Sequence, residues 1–371
     1  MKFLIVTHTP HWKDQGKLYA YGPYVREMNV WNKQADEVIV LAPRGKGNHT
    51  RIHWSYAEND IKWIEIPSFN VLTFQGAFQT LWKLPIILIF LIKAMGKADH
   101  IHLRCPGNIG LLGAIVQSLF PKKRKTAKYA GNWNPKAKQP LSYRIQKWWL
   151  SHTLLSRNMV VLVYGDWPGQ SKNIKSFFTA TYSDEDREFT EPRDYKQRPL
   201  RAVFVGSLSA GKRPLLAVKA IHSLRDQGYD IRLDLYGDGE MRSKIKKYIH
   251  ENNLDSYIHK WGNQNANTVS EAYRNSHFLL LPSKSEGWPK VIAESMWWGC
   301  IPVATRVSCV AWMLDYGNRG ILVSPAVEDV THEMATAIDH PEMCLDKARK
   351  ASKWSREYTL ERFEQAIKEL L

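Results

Sequence analysis

Cysteine is scarce in this chain of 371 residues: Cys105, Cys300, Cys309 and Cys344 stand far apart, with no Cys-x-x-Cys pair. That excludes a disulfide scaffold and a zinc-finger site, and it fits a reducing cytoplasm. Long apolar runs are absent too. The longest, LPIILIFLI at 84–92, has nine residues, whereas a membrane-crossing helix needs about 20. An integral membrane protein is therefore not expected. The start, MKFLIVTHTPHW, carries one lysine and an apolar run that breaks at His8. It reads as a first β-strand and not as a signal peptide. There is no G-x-S-x-G elbow, and no His, Cys and carboxylate cluster has metal-ligand spacing, so no metal is expected.

Acidic residues are missing between Asp99 and Asp166, where eleven lysines and arginines fall, among them PKKRK at 121–125. Over the whole chain 52 basic residues stand against 36 acidic ones, a formal charge of +16. Such a block is either a solvated face or the meeting surface for an anionic partner. The 15 tryptophans favour lipid or sugar as that partner. Nucleic acid is disfavoured: aromatics are not interleaved with PKKRK, and no RNA-recognition signature appears. A cytoplasmic protein, peripheral on the inner face of an anionic membrane, is the expectation.

What is present is ordinary globular composition, 44% hydrophobic and 24% charged, with a length that suits two domains. Strands are expected at 2–9, 37–43, 62–68, 100–104, 126–131 and 159–165, with helices near 23–34, 77–96, 108–120 and 140–157. Aliphatic runs alternating with helices mean parallel sheets covered on both faces. Residues 183–199, charged and holding two prolines, break the pattern and read as a linker. The alternation then restarts, with strands at 202–208, 231–237, 257–262, 277–283, 301–307 and 320–325. Leu360, Phe363, Ala366, Ile367 and Leu370 mark one face of a closing helix. The predicted organisation is two Rossmann-like α/β domains, 1–190 and 191–357, plus a helix at 358–371 that packs back on the first domain. Their parallel sheets would face each other across a cleft.

Two segments carry chemistry. In LLLPSKSEGWPKVIAESMWWGCIPVAT, 279–305, a strand ends at Pro282 and Ser283, and a loop holds Glu286, Gly287 and Trp288. A helix then opens near Pro289, with Glu294 near its middle. A helix N-terminus offers free N–H groups to an anion or a sugar oxygen. In FVGSLSAGKRP, 204–214, a strand runs into Gly206, Ser207, Ser209 and Gly211, and Lys212 and Arg213 open a helix. The small residues let backbone approach a ligand, and lysine supplies a point charge for phosphate. It is not a Walker loop, because Arg213 stands where Ser or Thr is needed. Asp184-Glu185-Asp186 reads D-x-D, but it lies in the charged linker and off any apolar strand, so metal binding there is not expected.

Taken in order, VGSLSAGK, LYGDGE at 235–240, HKWGN at 259–263, the Glu286 and Glu294 spacing and GCIPVAT at 299–305 resemble the C-terminal half of glycosyltransferase family four. These are retaining sugar-nucleotide transferases of GT-B fold. The resemblance covers about 200–326. It implies a metal-independent hexosyl-type transferase that takes its sugar from a nucleotide diphosphate sugar, a UDP-sugar favoured over a GDP-sugar. No cofactor is implied. The acceptor would be a glycan or lipid-linked glycan precursor. It assigns Lys212 to the donor phosphates and Glu286 to the transferred sugar, as the catalytic pair. Gly287, Trp288, Pro289 and Lys290 become the backbone around sugar and phosphates, and Glu294 the ligand of the ribose hydroxyls. Ser207 stands where the family often has arginine, so Arg213 or Lys290 would supply the missing charge. Gly206 completes the donor loop, and Gly237 and Gly262 fall at strand ends bordering the nucleotide. Gly22, in a Gly-Pro where the family has a glycine pair, matches the first turn loosely. The family's N-terminal histidine is not evident; Gly131 and Asn132 lie where it would fall. Arg104 and Asn132 are the acceptor-side candidates. A nucleotide-sugar epimerase of the same fold and a basic nucleic-acid-binding protein are the alternatives.

Overall fold

The structure, a computed structural model, describes residues 1–58, 60–68, 74–188 and 193–371, with 74–81 described through their backbone. Residues 189–192 of the expected linker lie outside the described residues. The chain forms two compact units, Met1–Phe177 with Phe363–Leu371, and Phe178–Arg362.

The first unit contains β1 (Lys2–Val6), β2 (Trp12–Asp14), β3 (Lys17–Tyr21), β4 (Glu37–Pro43), β5 (His53–Ser55), β6 (Lys62–Ile66), β7 (His100–Cys105), β8 (Arg124–Tyr129), β9 (Met159–Tyr164) and β10 (Ile174–Phe177). Seven of these make one sheet in the order β10-β9-β8-β7-β1-β4-β6, every pair parallel. The aliphatic runs FLIV of β1 and VIVLA of β4 are buried throughout, as strands covered on both faces require. Around the sheet lie α1 (Gly22–Asn32), α2 (Phe74–Lys97), α3 (Asn108–Val116) and α4 (Leu141–Ser151). A small antiparallel sheet, β2-β3-β5, was not anticipated. Its strands are three to five residues long, too short to show an alternating pattern.

The second unit holds β11 (Leu200–Val205), β12 (Ile231–Tyr236), β13 (Ile258–Gly262), β14 (Phe278–Leu281), β15 (Ile301–Thr305) and β16 (Ile321–Val323). They form a parallel sheet in the order β13-β12-β11-β14-β15-β16. Between them run α5 (Pro214–Asp226), α6 (Arg242–Glu251), α7 (Ala266–Asn275), α8 (Lys290–Trp297) and α9 (Val310–Met313), followed by α10 (Val327–Asp339) and α11 (Pro341–Ser355). The strand order reverses direction beside β11, between β12 and β14. At such a switch point the loops leaving the strand ends part and leave a crevice. The two segments singled out above are the loops leaving β11 and β14. The last helix, α12 (Leu360–Lys368), begins in the second unit, and from Phe363 onward its residues belong to the first. There Phe363 packs on Phe177 and lies 5.0 Å from the Lys128 Nζ.

Candidate active site

The site is built on the loop after β11. Gly206 and Gly237 both have φ in the left-handed half of the map, +147 and +130. A Cβ on Gly237 would stand 1.9 Å from the Gly206 carbonyl oxygen. The loops after β11 and β12 therefore touch backbone to backbone, which only glycine permits. The contact is continued by bonds from Gly206 N–H to the Tyr236 carbonyl, 2.9 Å, and from Met241 N–H to the Leu208 carbonyl, 2.8 Å. The Glu240 carboxylate accepts from Ala210 N–H at 2.9 Å. On the other side, Lys284 N–H donates to the Gly211 carbonyl at 2.8 Å. Residues 206–212 are thus clamped between the loops after β12 and β14, with Ser207 and Ser209 facing each other at 3.3 Å between hydroxyls.

The clamp brings Lys212 and Glu286 together. The Lys212 Nζ donates to Glu286 Oε1 at 2.6 Å; the lysine side chain is 29% exposed and the carboxylate 8%. Arg213, left-handed at φ +52, opens α5, and its guanidinium donates to the Pro282 carbonyl at 3.3 Å. Past Glu286, the Gly287 carbonyl accepts from Ser308 Oγ and Cys309 Sγ, each at 3.1 Å, so this turn is fixed. The Trp288 ring is buried among Trp312, Trp354 and Tyr358. Trp288 therefore offers a ligand only its backbone. Pro289 caps α8 and Lys290 is its first residue, one position later than the sequence suggested.

Glu294 lies in the middle of α8. Its two oxygens accept from the Thr181 hydroxyl at 2.9 Å and the Tyr273 hydroxyl at 3.3 Å. Burial, and then the Glu294 charge, push the Tyr273 phenol up and that of neighbouring Tyr182 up to about 12. Both stay protonated, and Tyr273 remains a donor to the carboxylate. Both carboxylate oxygens of Glu294 are thus acceptors for hydroxyl groups. Thr181 and Tyr273 escaped sequence reasoning because nothing in their local pattern points at Glu294.

Other expectations fall elsewhere. Gly22 starts α1 of the first unit, where a Cβ would meet the Trp54 ring at 2.8 Å; it serves packing there. Arg104, in β7, is buried with its guanidinium on the Glu27 carboxylate and over the Tyr24 ring, while the Lys128 Nζ lies 3.0 Å from the same carboxylate. That ion cluster, and not an open acceptor surface, is where Arg104 sits. Asn132 uses its side-chain oxygen on Asn134 N–H at 2.9 Å, closing a turn. Asp186 caps its own short turn by accepting from Ser183, and Asp184 pairs with Arg187 at 2.7 Å. Among the described residues, no group of three or more His, Cys, Asp or Glu is gathered as for a metal.

The first unit contains a cavity of about 690 Å³ at the carboxyl ends of its central strands. Its walls include His8 after β1, Trp12, Arg44 and Lys46 after β4, and Gly107 and Asn108 at the start of α3. Burial, and then the Arg104 charge, hold the His8 imidazole below its ordinary range, which favours the neutral ring. His8 and the Pro-Gly-Asn of 106–108 were not singled out from sequence. Their signal was position alone, immediately after the parallel strands β1 and β7.

Residues 185–354 match the family described as Glycosyl transferases group 1. An uncharacterized glycosyltransferase of Methanocaldococcus jannaschii is 27% identical over 161 residues, 43% of this chain and 44% of that protein. A D-inositol 3-phosphate glycosyltransferase of Pseudarthrobacter chlorophenolicus is 27% identical over 179 residues, 44% of this chain and 42% of its own length. The match thus spans less than half the length of these relatives. Among solved structures, sucrose-phosphate synthase from Thermosynechococcus elongatus superposes with a TM-score of 0.68 at 14% identity, covering 100% of this chain and 98% of that one. Anabaena HepE in complex with UDP and glucose gives the same TM-score, identity and coverage. The chain therefore has the GT-B fold of two parallel-sheet α/β units, and at residues 185–354 it carries a domain of the glycosyl transferases group 1 family.

Proposed function

We propose that this chain is a retaining glycosyltransferase that moves a sugar from a UDP-sugar to an acceptor hydroxyl. The observation that carries the reading is the 2.6 Å pair of Lys212 and Glu286 at the sheet's switch point, with Glu294 among hydroxyls eight residues further on. UDP and UDP-glucose in the Anabaena HepE structures support the choice of donor. The diphosphate lies along Gly206–Lys212. Lys212 passes from Glu286 to the phosphate oxygens, and Glu286, released, accepts from a hydroxyl of the sugar. As the bond from C1 to the phosphate oxygen breaks, negative charge grows on the diphosphate. Lys212 and the partial positive charge at the N-terminus of α8 stabilise that charge. The acceptor oxygen bonds to C1 on the face the diphosphate leaves. The acceptor's proton passes to a diphosphate oxygen, so configuration is retained and no metal is required. Glu294 holds the ribose. The acceptor occupies the first unit's cavity, which His8, Trp12, Arg44 and Lys46 help to line.

Incubation with a UDP-sugar and an acceptor library, with the anomeric configuration of the product read by NMR, tests this. A product with the donor's configuration supports it. An inverted product refutes the retaining step, and isomerised UDP-sugar without acceptor refutes transfer itself.

A further inference from the structure

The helices α2, α3 and α4 form one layer on the first unit's sheet, α2 packing on α3 and α3 on α4. Their inner stripes are core: Ile87, Leu91 and Met95 of α2 and Leu150 of α4 are fully buried. The outer stripe of a surface helix is normally polar. Here it is apolar. On α2, Trp82, Ile86 and Ile89 are 74%, 47% and 51% exposed; on α4, Ile145 and Trp148 are 40% and 57%; and Leu119, just after α3, is 65%. Single exposed apolar residues are ordinary, but a layer of three neighbouring helices turning large aliphatic and indole groups outward marks an interaction surface.

The segment that builds this layer is basic. Residues 66–165 contain fourteen lysines and arginines and a single acid, Asp99. Asp99 is occupied by Lys2 N–H at 2.7 Å. Lys93 and Lys97 stand exposed on α2, and Arg144 on α4. The run PKKRK, expected from sequence to be the anionic contact, is largely structural instead. Lys123 donates to the Gly96 and Ala98 carbonyls at the end of α2, and Arg124 to the Leu371 carbonyl. Lys125 is buried and donates to the Phe120 carbonyl at 3.0 Å.

We infer that the outer face of α2–α4 docks on an anionic lipid bilayer. A bilayer interface offers in one plane what the face presents: an acyl boundary for the isoleucines, a headgroup level for the indoles, and negative charge for the flanking lysines and Arg144. The contact lies on the surface, since among the described residues no helix is long and apolar enough to cross a membrane. The inference does not depend on the proposed transfer reaction, because binding is read without donor or acceptor.

The test is sedimentation with vesicles of pure phosphatidylcholine and of phosphatidylcholine mixed with phosphatidylglycerol. The expected result is binding to the mixed vesicles well above the neutral ones, weakened by high salt. Trp82→Ser, Ile89→Ser and Trp148→Ser together should lower that binding at least about tenfold, since each buried apolar side chain is worth more than a factor of ten when it reaches the acyl boundary. Lys93→Gln, Lys97→Gln and Arg144→Gln together should abolish the preference for anionic lipid while leaving the salt-resistant part. Thermal melts of both variants, matched to wild type, exclude unfolding as the cause. Equal binding to both vesicle types, or triple-serine binding equal to wild type, would overturn the inference. So would a stable dimer in ultracentrifugation that the triple-serine variant dissolves, because a second copy would then cover the face.

Discussion

Removing the Lys212 side chain should leave two separable marks. Its Nζ is 2.6 Å from a Glu286 carboxylate that is only 8% exposed. In Lys212→Ala that carboxylate is buried without its cation. Losing one partner of a fully buried pair costs about 3–5 kcal/mol. Lys212 keeps 29% of its side chain in solvent, so water can enter, and about 1–2 kcal/mol is the fitting figure. For a unit of this size, that is a fall in Tm of about 2–8 °C. Transfer should fall about 100-fold or more, the usual loss when one charge-stabilising donor is removed. The double variant Lys212→Ala with Glu286→Gln separates the marks: it removes the stranded charge, so Tm should recover while turnover stays low. Differential scanning calorimetry and initial rates with a UDP-sugar give both readings. Wild-type turnover in Lys212→Ala would refute the phosphate role, and an unchanged Tm would refute the buried pair.

The two glutamates should differ: Glu286→Gln should lower kcat more than donor affinity, and Glu294→Gln should weaken UDP at least about tenfold with a smaller change in kcat; small and equal effects would make their spacing accidental. The first unit should be acid-labile. Burial holds His11 and His100 down at about 4, so the unfolded chain takes up protons below pH 6.5 that the fold refuses. Stability is full above pH 6.5 and is lost as pH falls towards 4, by about 2 kcal/mol per histidine at pH 5; a melting temperature unchanged between pH 7 and pH 5 would contradict this. Transfer should survive EDTA, and Asp184→Ala with Asp186→Ala should leave kcat intact with at most about 1 kcal/mol lost from the turn that Asp186 caps; activity abolished by EDTA and restored by a divalent ion would reverse the assignment.

The parallel strands were legible because runs such as FLIV, VIVLA and FLLL are apolar on both faces and bounded by polar turns. The short hairpin strands, β10 and α11 were not. In α11 the buried positions Cys344, Ala348, Ala351 and Ser355 are small or polar, and they leave no apolar stripe in the sequence. The loops after β11 and β14 were legible as a candidate site because glycine, lysine and glutamate at fixed spacing name a chemistry. Which partner each residue takes was not visible. Arg104 and Asn132 sit at strand ends where ligands bind, yet Glu27 and a local turn hold them. PKKRK read as a solvated face or an anionic contact, although carbonyls 25 and 27 residues earlier hold Lys123. Such long-range pairings lie beyond what periodicity and local spacing encode.

Calorimetric titration of UDP into the wild-type chain and into Lys212→Ala tests most directly whether the loop after β11 is a nucleotide diphosphate site. The account predicts saturable one-to-one binding of UDP, tighter than GDP, unchanged by EDTA and weakened at least about tenfold by the substitution, since one charged hydrogen bond is worth about 1.5–3 kcal/mol. No heat with UDP, GDP or ADP, or UDP binding indifferent to the loss of Lys212, would contradict it.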